Sequence, residues 1–128
     1  MLIAPLLLAG CLADYTLPTD SPSARVAVAT RATPMLCVAE RQQRLRPGRD
    51  GYARIPAGRP VTLTAQFEGH DFVCIPAVSF VPEAGASYRQ TFKVVSRSCT
   101  TTILRDGPPG PVMVATSDAA SYGCRGRP

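Results

Sequence analysis

The sequence predicts an all-β fold, an antiparallel β-sandwich of about seven or eight short strands stapled by disulfides. Three observations lead there. The 128 residues are 45% hydrophobic and 18% charged, with 13 prolines and 10 glycines; this composition is globular but punctuated too often for long helices. Apolar residues recur at period two, and no stretch carries a convincing amphipathic helix. Clusters of turn-forming residues separate the alternating runs at short, regular intervals. The length allows one domain. Tryptophan is absent and aromatics make up 6%, so Val, Ile, Leu and Ala must build the core, and a small core of that kind gains from covalent staples. A small closed barrel is the alternative architecture.

The elements follow in order. Arg25-Val26-Ala27-Val28-Ala29-Thr30 reads as a strand, and so does Met35-Leu36-Cys37-Val38. Residues 40–51 are polar and arginine-rich, a solvated loop by composition. Tyr52-Ala53-Arg54-Ile55 is a strand entering the turn Pro56-Ala57-Gly58-Arg59-Pro60. The run 61–67 alternates cleanly, with Val61, Leu63, Ala65 and Phe67 on one face. After a turn at 68–71, a strand over 72–81 is interrupted by Pro76, whose missing N–H suits an edge or a bulge. Pro82-Glu83-Ala84-Gly85 turns the chain again. The run 88–95 alternates with Tyr88, Gln90, Phe92 and Val94 on one side, and 99–104 is a threonine-rich strand. A loop over 106–111 leads to a last short strand at 112–115, followed by a polar tail that holds Cys124.

The amino terminus carries the sharpest signal. Residues 1–10 are apolar throughout and lead through small residues into Cys11. The run is too short for a membrane span, which needs about 20 apolar residues, and has the length of the apolar part of a secretory signal. Leu8-Ala9-Gly10-Cys11 resembles the bacterial lipobox. That resemblance implies a signal segment over 1–10, cleavage before Cys11, and lipid on the Cys11 thiol, so that the mature chain begins there. Leu12 rather than Asp after the cysteine implies the outer membrane in the enterobacterial sorting rules. Residues 11–24, polar and proline-bearing, then form a flexible tether, with an irregular first strand around Tyr15 to Leu17 as the alternative, and 25–128 the sandwich domain.

Cysteine arithmetic agrees. Five cysteines are odd, and lipidation of Cys11 leaves Cys37, Cys74, Cys99 and Cys124, an even set for two disulfides in an oxidising compartment. Four cysteines allow three pairings; Cys74 with Cys99, and Cys37 with Cys124, are preferred. The first pair would join two neighbouring strands, a closure worth roughly 3 kcal/mol. The second would tie the two ends of the domain. A four-cysteine zinc site is disfavoured, because no two cysteines have the close spacing that zinc sites use.

The formal net charge is +5, from 13 arginines and one lysine against nine acidic residues. Arg41, Arg44, Arg46 and Arg49 form the one clear cluster. It reads either as a basic patch for lipid head groups, anionic glycans or an acidic partner, or as a solvated loop that guards a strand edge. No nucleic-acid partner is expected in an exported protein.

Catalytic chemistry has little to rest on. His70 is the single histidine, with Asp71 beside it in a turn, and no Gly-x-Ser-x-Gly accompanies them. Glu40, Glu68 and Glu83 fall at turns and segment ends, as solvated carboxylates do. No phosphate-binding glycine loop occurs, and no metal or other cofactor is called for. The segment 54–104, with Ile55-Pro56-Ala57-Gly58-Arg59-Pro60, then Pro82 to Tyr88, then Cys99, resembles small bacterial lipoproteins with transthyretin-like or immunoglobulin-like sandwiches. The resemblance implies a fold and offers no functional residue. The expectation is therefore a non-enzymatic, lipid-anchored envelope lipoprotein on the periplasmic face. It would bind a protein partner, as part of a secretion or envelope assembly, or an anionic glycan. Inhibition of a lytic enzyme is the alternative.

Overall fold

The computed structural model describes residues 13–28, 31–118 and 121–124. Ten strands appear among them: β1 (Ser23–Ala27), β2 (Thr33–Val38), β3 (Arg41–Arg44), β4 (Tyr52–Pro56), β5 (Val61–Glu68), β6 (Val73–Cys74), β7 (Ala77–Phe80), β8 (Ser87–Val95), β9 (Ser98–Arg105) and β10 (Val112–Thr116). They form an all-β sandwich. One sheet has the order β10-β9-β8-β1-β4; the other has β3-β2-β5, with β7 and β6 following one another along the free side of β5.

Two strands exceed the expectation, and both have a physical reason. Pro76 divides the predicted 72–81 strand into β6 and β7, since its nitrogen has no proton to give to the ladder. The arginine-rich stretch expected to be a loop contains β3, which pairs with β2 through a two-residue hairpin (Val38↔Arg41). Ala39 and Glu40 in that hairpin have φ of 49° and 65°. Such turns normally carry Asn-Gly, so sequence alone gave no signal for it. The expected antiparallel pairing also has one exception: β1 and β8 run parallel, with Val26 opposite Tyr88.

The alternation read from the sequence sets the core. Val26, Ile55, Tyr88 and Ile103 of the first sheet meet Leu36, Val61, Leu63 and Val78 of the second. Complete burial of an aliphatic side chain of this size contributes about 1.5–3 kcal/mol. Along β8, Tyr88 and Gln90 are buried while Arg89 and Thr91 are exposed. Across β2, β5 and β7 a second row, Met35, Thr64 and Ala77, is buried as well. It lies on the face opposite Leu36 and Leu63. Cys37 shares that face, and its disulfide to Cys124 brings the C-terminal residues to it.

Both disulfides join the pairs preferred from the sequence, Cys37–Cys124 and Cys74–Cys99, with Cα separations of 5.5 and 6.1 Å. Cys74–Cys99 links the β6 region to the second strand of the β8–β9 hairpin. Phe67, Phe72 and Phe92 gather at the same end, with ring centroids 5.9 and 5.4 Å apart.

Candidate functional site

Part of the stretch read as a tether is docked. The Arg44 amide donates to the Ala13 carbonyl at 2.9 Å, and the Tyr15 amide donates to the Arg44 carbonyl at 2.8 Å. Asp14 thus makes a parallel bridge with β3. Its carboxylate receives Arg44 Nε at 2.9 Å and Arg46 Nε at 2.6 Å. β1 begins at Ser23, also inside the expected tether. Cys11 and the stretch 1–10, expected to be a signal segment, lie outside the described residues.

Between the docked segment and β4 opens a depression of about 600 Å³, walled by Tyr15, Leu17, Arg46, Arg49, Tyr52 and Arg54. Arg25 stacks over the Tyr52 ring, 4.3 Å from its centre, and donates Nε to Ser87 Oγ at 2.6 Å. The side chain of Asp50 is engaged by the Tyr52 amide at 3.0 Å.

The site is electropositive because its carboxylates are outnumbered. Asp14 serves two guanidinium groups, and Arg49 and Arg54 have no ion pair among the described residues. Partial desolvation works to raise the Asp14 carboxyl, but the Arg44 hydrogen bond and the charges of Arg46 and Arg44 outweigh it and hold the pKa below its ordinary value. Burial pushes the Tyr15 hydroxyl up, opposed by the charge of Arg59.

Of the arginines singled out from the sequence, Arg46 and Arg49 line the groove, and Arg44 shares the Asp14 carboxylate with Arg46. Arg41 stands at the other end of β3, exposed. Sequence reasoning missed Arg25, Arg54, Tyr15 and Tyr52. Arg25 and Arg54 both lie in segments read as strands, but only the β1–β4 register makes them neighbours (Arg25↔Arg54).

A second surface lies on the opposite flank. Among the described residues the sheet-edge strands differ in how they are guarded. Residues 13–15 cover β3, and β4 carries Arg54 and Pro56. Residues 121–123 cover the β6–β7 edge through Ala77 N–H to the Ser121 carbonyl and Gly123 N–H to the Ile75 carbonyl. β10 has no charge, no proline and, among the described residues, no hydrogen-bonded covering segment; its register with β9 shifts between Met113 and Ala115. Its Val112, Met113 and Val114 are 56%, 62% and 42% exposed. An open apolar edge is a template for another strand.

The remaining candidates do not converge. His70 is exposed in the β5–β6 turn, and the Asp71 carboxylate turns to Arg97 at 3.2 Å. Glu83 pairs with Arg105 at 2.9 Å. A depression of about 540 Å³ beside Cys37–Cys124 sets Glu40 and Arg59 in its wall. Among the described residues, no three His, Cys, Asp or Glu side chains stand together as a metal site. No helix there is long and apolar enough to cross a membrane. Comparison with protein-family models, curated proteins and solved structures gives no match.

Proposed function

We propose that the protein is a non-enzymatic interaction module of the bacterial envelope, anchored by lipid on Cys11 and facing the periplasm. In this reading it adds the β10 edge to a strand of an envelope protein partner. The observation that carries it is the contrast between edges: among the described residues three are guarded by charge, proline or a covering segment, whereas β10 has only a register shift between Met113 and Ala115 and exposes three consecutive apolar residues. Two disulfides support an oxidising compartment. The lipobox-like Leu8-Ala9-Gly10-Cys11 supports the anchor.

The test is in-cell photo-cross-linking from position 113 in the otherwise native chain, with Cys11→Ser and Val114→Lys forms beside it. A stoichiometric envelope partner, lost in both variants, is the expected result. Retention of that partner by the Cys11→Ser form would favour a soluble inhibitor of a lytic enzyme instead. No adduct at position 113 would overturn the β10 reading.

A further inference from the structure

We propose that the flank built from β3, β4 and residues 13–17 lies against anionic phospholipid head groups, with the Arg46–Arg49–Arg54 groove receiving a head-group phosphate. This rests on the proposed lipid anchor at Cys11, and it fixes an orientation that the anchor alone does not.

Covalent reach is the first argument. Ala13 is hydrogen-bonded to Arg44 on the edge of the second sheet. Only Leu12 separates it from Cys11, so the two Cα atoms are at most about 7 Å apart. A chain leaving a flexible tether of 14 residues could present any face to the membrane. A chain pinned at Ala13 cannot, because β3 must stay close to the layer that holds the lipidated sulfur.

Charge is the second argument. The flank gathers the guanidinium groups of Arg25, Arg44, Arg46, Arg49 and Arg54 against the carboxylates of Asp14 and Asp50. Elsewhere three arginines each have a carboxylate partner: Arg105 with Glu83, Arg89 with Asp106 and Arg97 with Asp71. A local excess of positive charge therefore sits next to the residues that follow Cys11, within range of a negative head-group layer. Arg49 and Arg54 face the depression with no ion pair among the described residues. A planar guanidinium fork suits a phosphate oxygen pair. Tyr15 and Tyr52 add aromatic bodies with polar tips, a character suited to the membrane interface.

The strand orders then assign the two flanks separate tasks. β3 and β4 end their sheets on one side, while β10 ends its sheet on the side where β7 lies. Seating the basic flank on the membrane turns β10 away from it, toward a partner.

The experiment uses lipidated protein extracted from cells, its acyl mass verified first. It is placed in detergent, in phosphatidylcholine vesicles, and in phosphatidylethanolamine/phosphatidylglycerol vesicles, and amide hydrogen exchange is followed over residues 46–51. Exchange slower by about tenfold on the anionic vesicles alone, reversed by high salt, is expected. The Arg49→Gln/Arg54→Gln form should remain vesicle-bound through its lipid yet lose that protection. If the acyl mass is present and exchange is equal in all three settings, the orientation is wrong and the anchor stands. If no acyl mass is found, the anchor itself fails. Equal protection by a soluble polyuronate in detergent would assign the groove to a glycan and overturn the head-group proposal.

Discussion

The Arg44 amide donates to the carbonyl of Ala13 across 2.9 Å, and this one bond joins the N-terminal segment to the edge of the second sheet. Its partner bond, from the Tyr15 amide to the Arg44 carbonyl, and the Asp14 ion pairs complete the clasp. Asp14→Ala should leave the sandwich folded but speed hydrogen exchange at the Tyr15 amide. Unchanged exchange at that amide would show that the Asp14 carboxylate does not hold the segment.

The same clasp depends on pH in a definite direction. The Asp14 carboxyl is held below its ordinary value in the folded protein, so its contribution is fully present above the unfolded pKa of about 4. That contribution is lost as pH falls through the lower, folded value. Glu83, lowered by its hydrogen bond and charge pairing with Arg105, adds a loss of the same sign. Acid unfolding of wild type and an Asp14→Asn/Glu83→Gln form should therefore differ at neutral pH and converge once pH has fallen through the lowered folded-state values. Parallel curves would contradict these assignments.

The two disulfides should contribute unequally. In the chain-entropy account the Cys37–Cys124 closure, 87 residues apart, is worth about 4–5 kcal/mol, and Cys74–Cys99, 25 apart, about 3 kcal/mol. Paired Cys→Ala substitutions compared by denaturant unfolding measure both. Loss of Cys37–Cys124 should also expose the Met35, Thr64 and Ala77 face to faster exchange.

Ile55 and Leu63 are fully buried, one from each sheet. Either residue changed to Ala should cost about 2–5 kcal/mol. Val114→Lys on the open β10 edge should change stability by no more than about 0.5 kcal/mol while abolishing strand addition there. A large stability loss from Val114→Lys would place β10 in the core rather than at a free edge.

Gln90 is a buried polar residue on the core side of β8. Its Nε2 donates to Thr101 Oγ1 at 3.1 Å and to the Thr64 carbonyl at 3.4 Å, while its Oε1 has no partner among the described residues, nor has Thr64 Oγ1. An unsatisfied buried oxygen costs about 1–3 kcal/mol. Thr101 Oγ1 keeps its own bond to the Thr91 carbonyl without Gln90. Gln90→Met should therefore be neutral or raise the melting temperature. A loss above about 2 kcal/mol would point to an ordered water completing the Gln90 network.

Much of the fold was legible because period two is a local property. Val61, Leu63 and Ala65 marked the buried face of β5, and Tyr88 with Gln90 that of β8. The lost bond at Pro76 forecast the break between β6 and β7. What local pattern could not reveal was pairing. Nothing in Arg25 or Tyr88 announces that β1 lies parallel to β8. The Ala39-Glu40 hairpin lacks the residues that usually signal one, so β3 was read as loop. The groove was half visible for the same reason. Arg44, Arg46 and Arg49 are neighbours in sequence, whereas Arg25, Arg54 and Tyr15 reach them only through sheet register and the Ala13–Arg44 clasp.

The most direct test of an anchored, disulfide-bonded module is the intact mass of the native protein extracted from cell envelopes, before and after reduction. The account predicts a chain beginning at Cys11 with acyl mass added, gaining the protons of four thiols on reduction. A chain that retains residues 1–10 without acyl mass, or one that holds four free thiols before reduction, would contradict it.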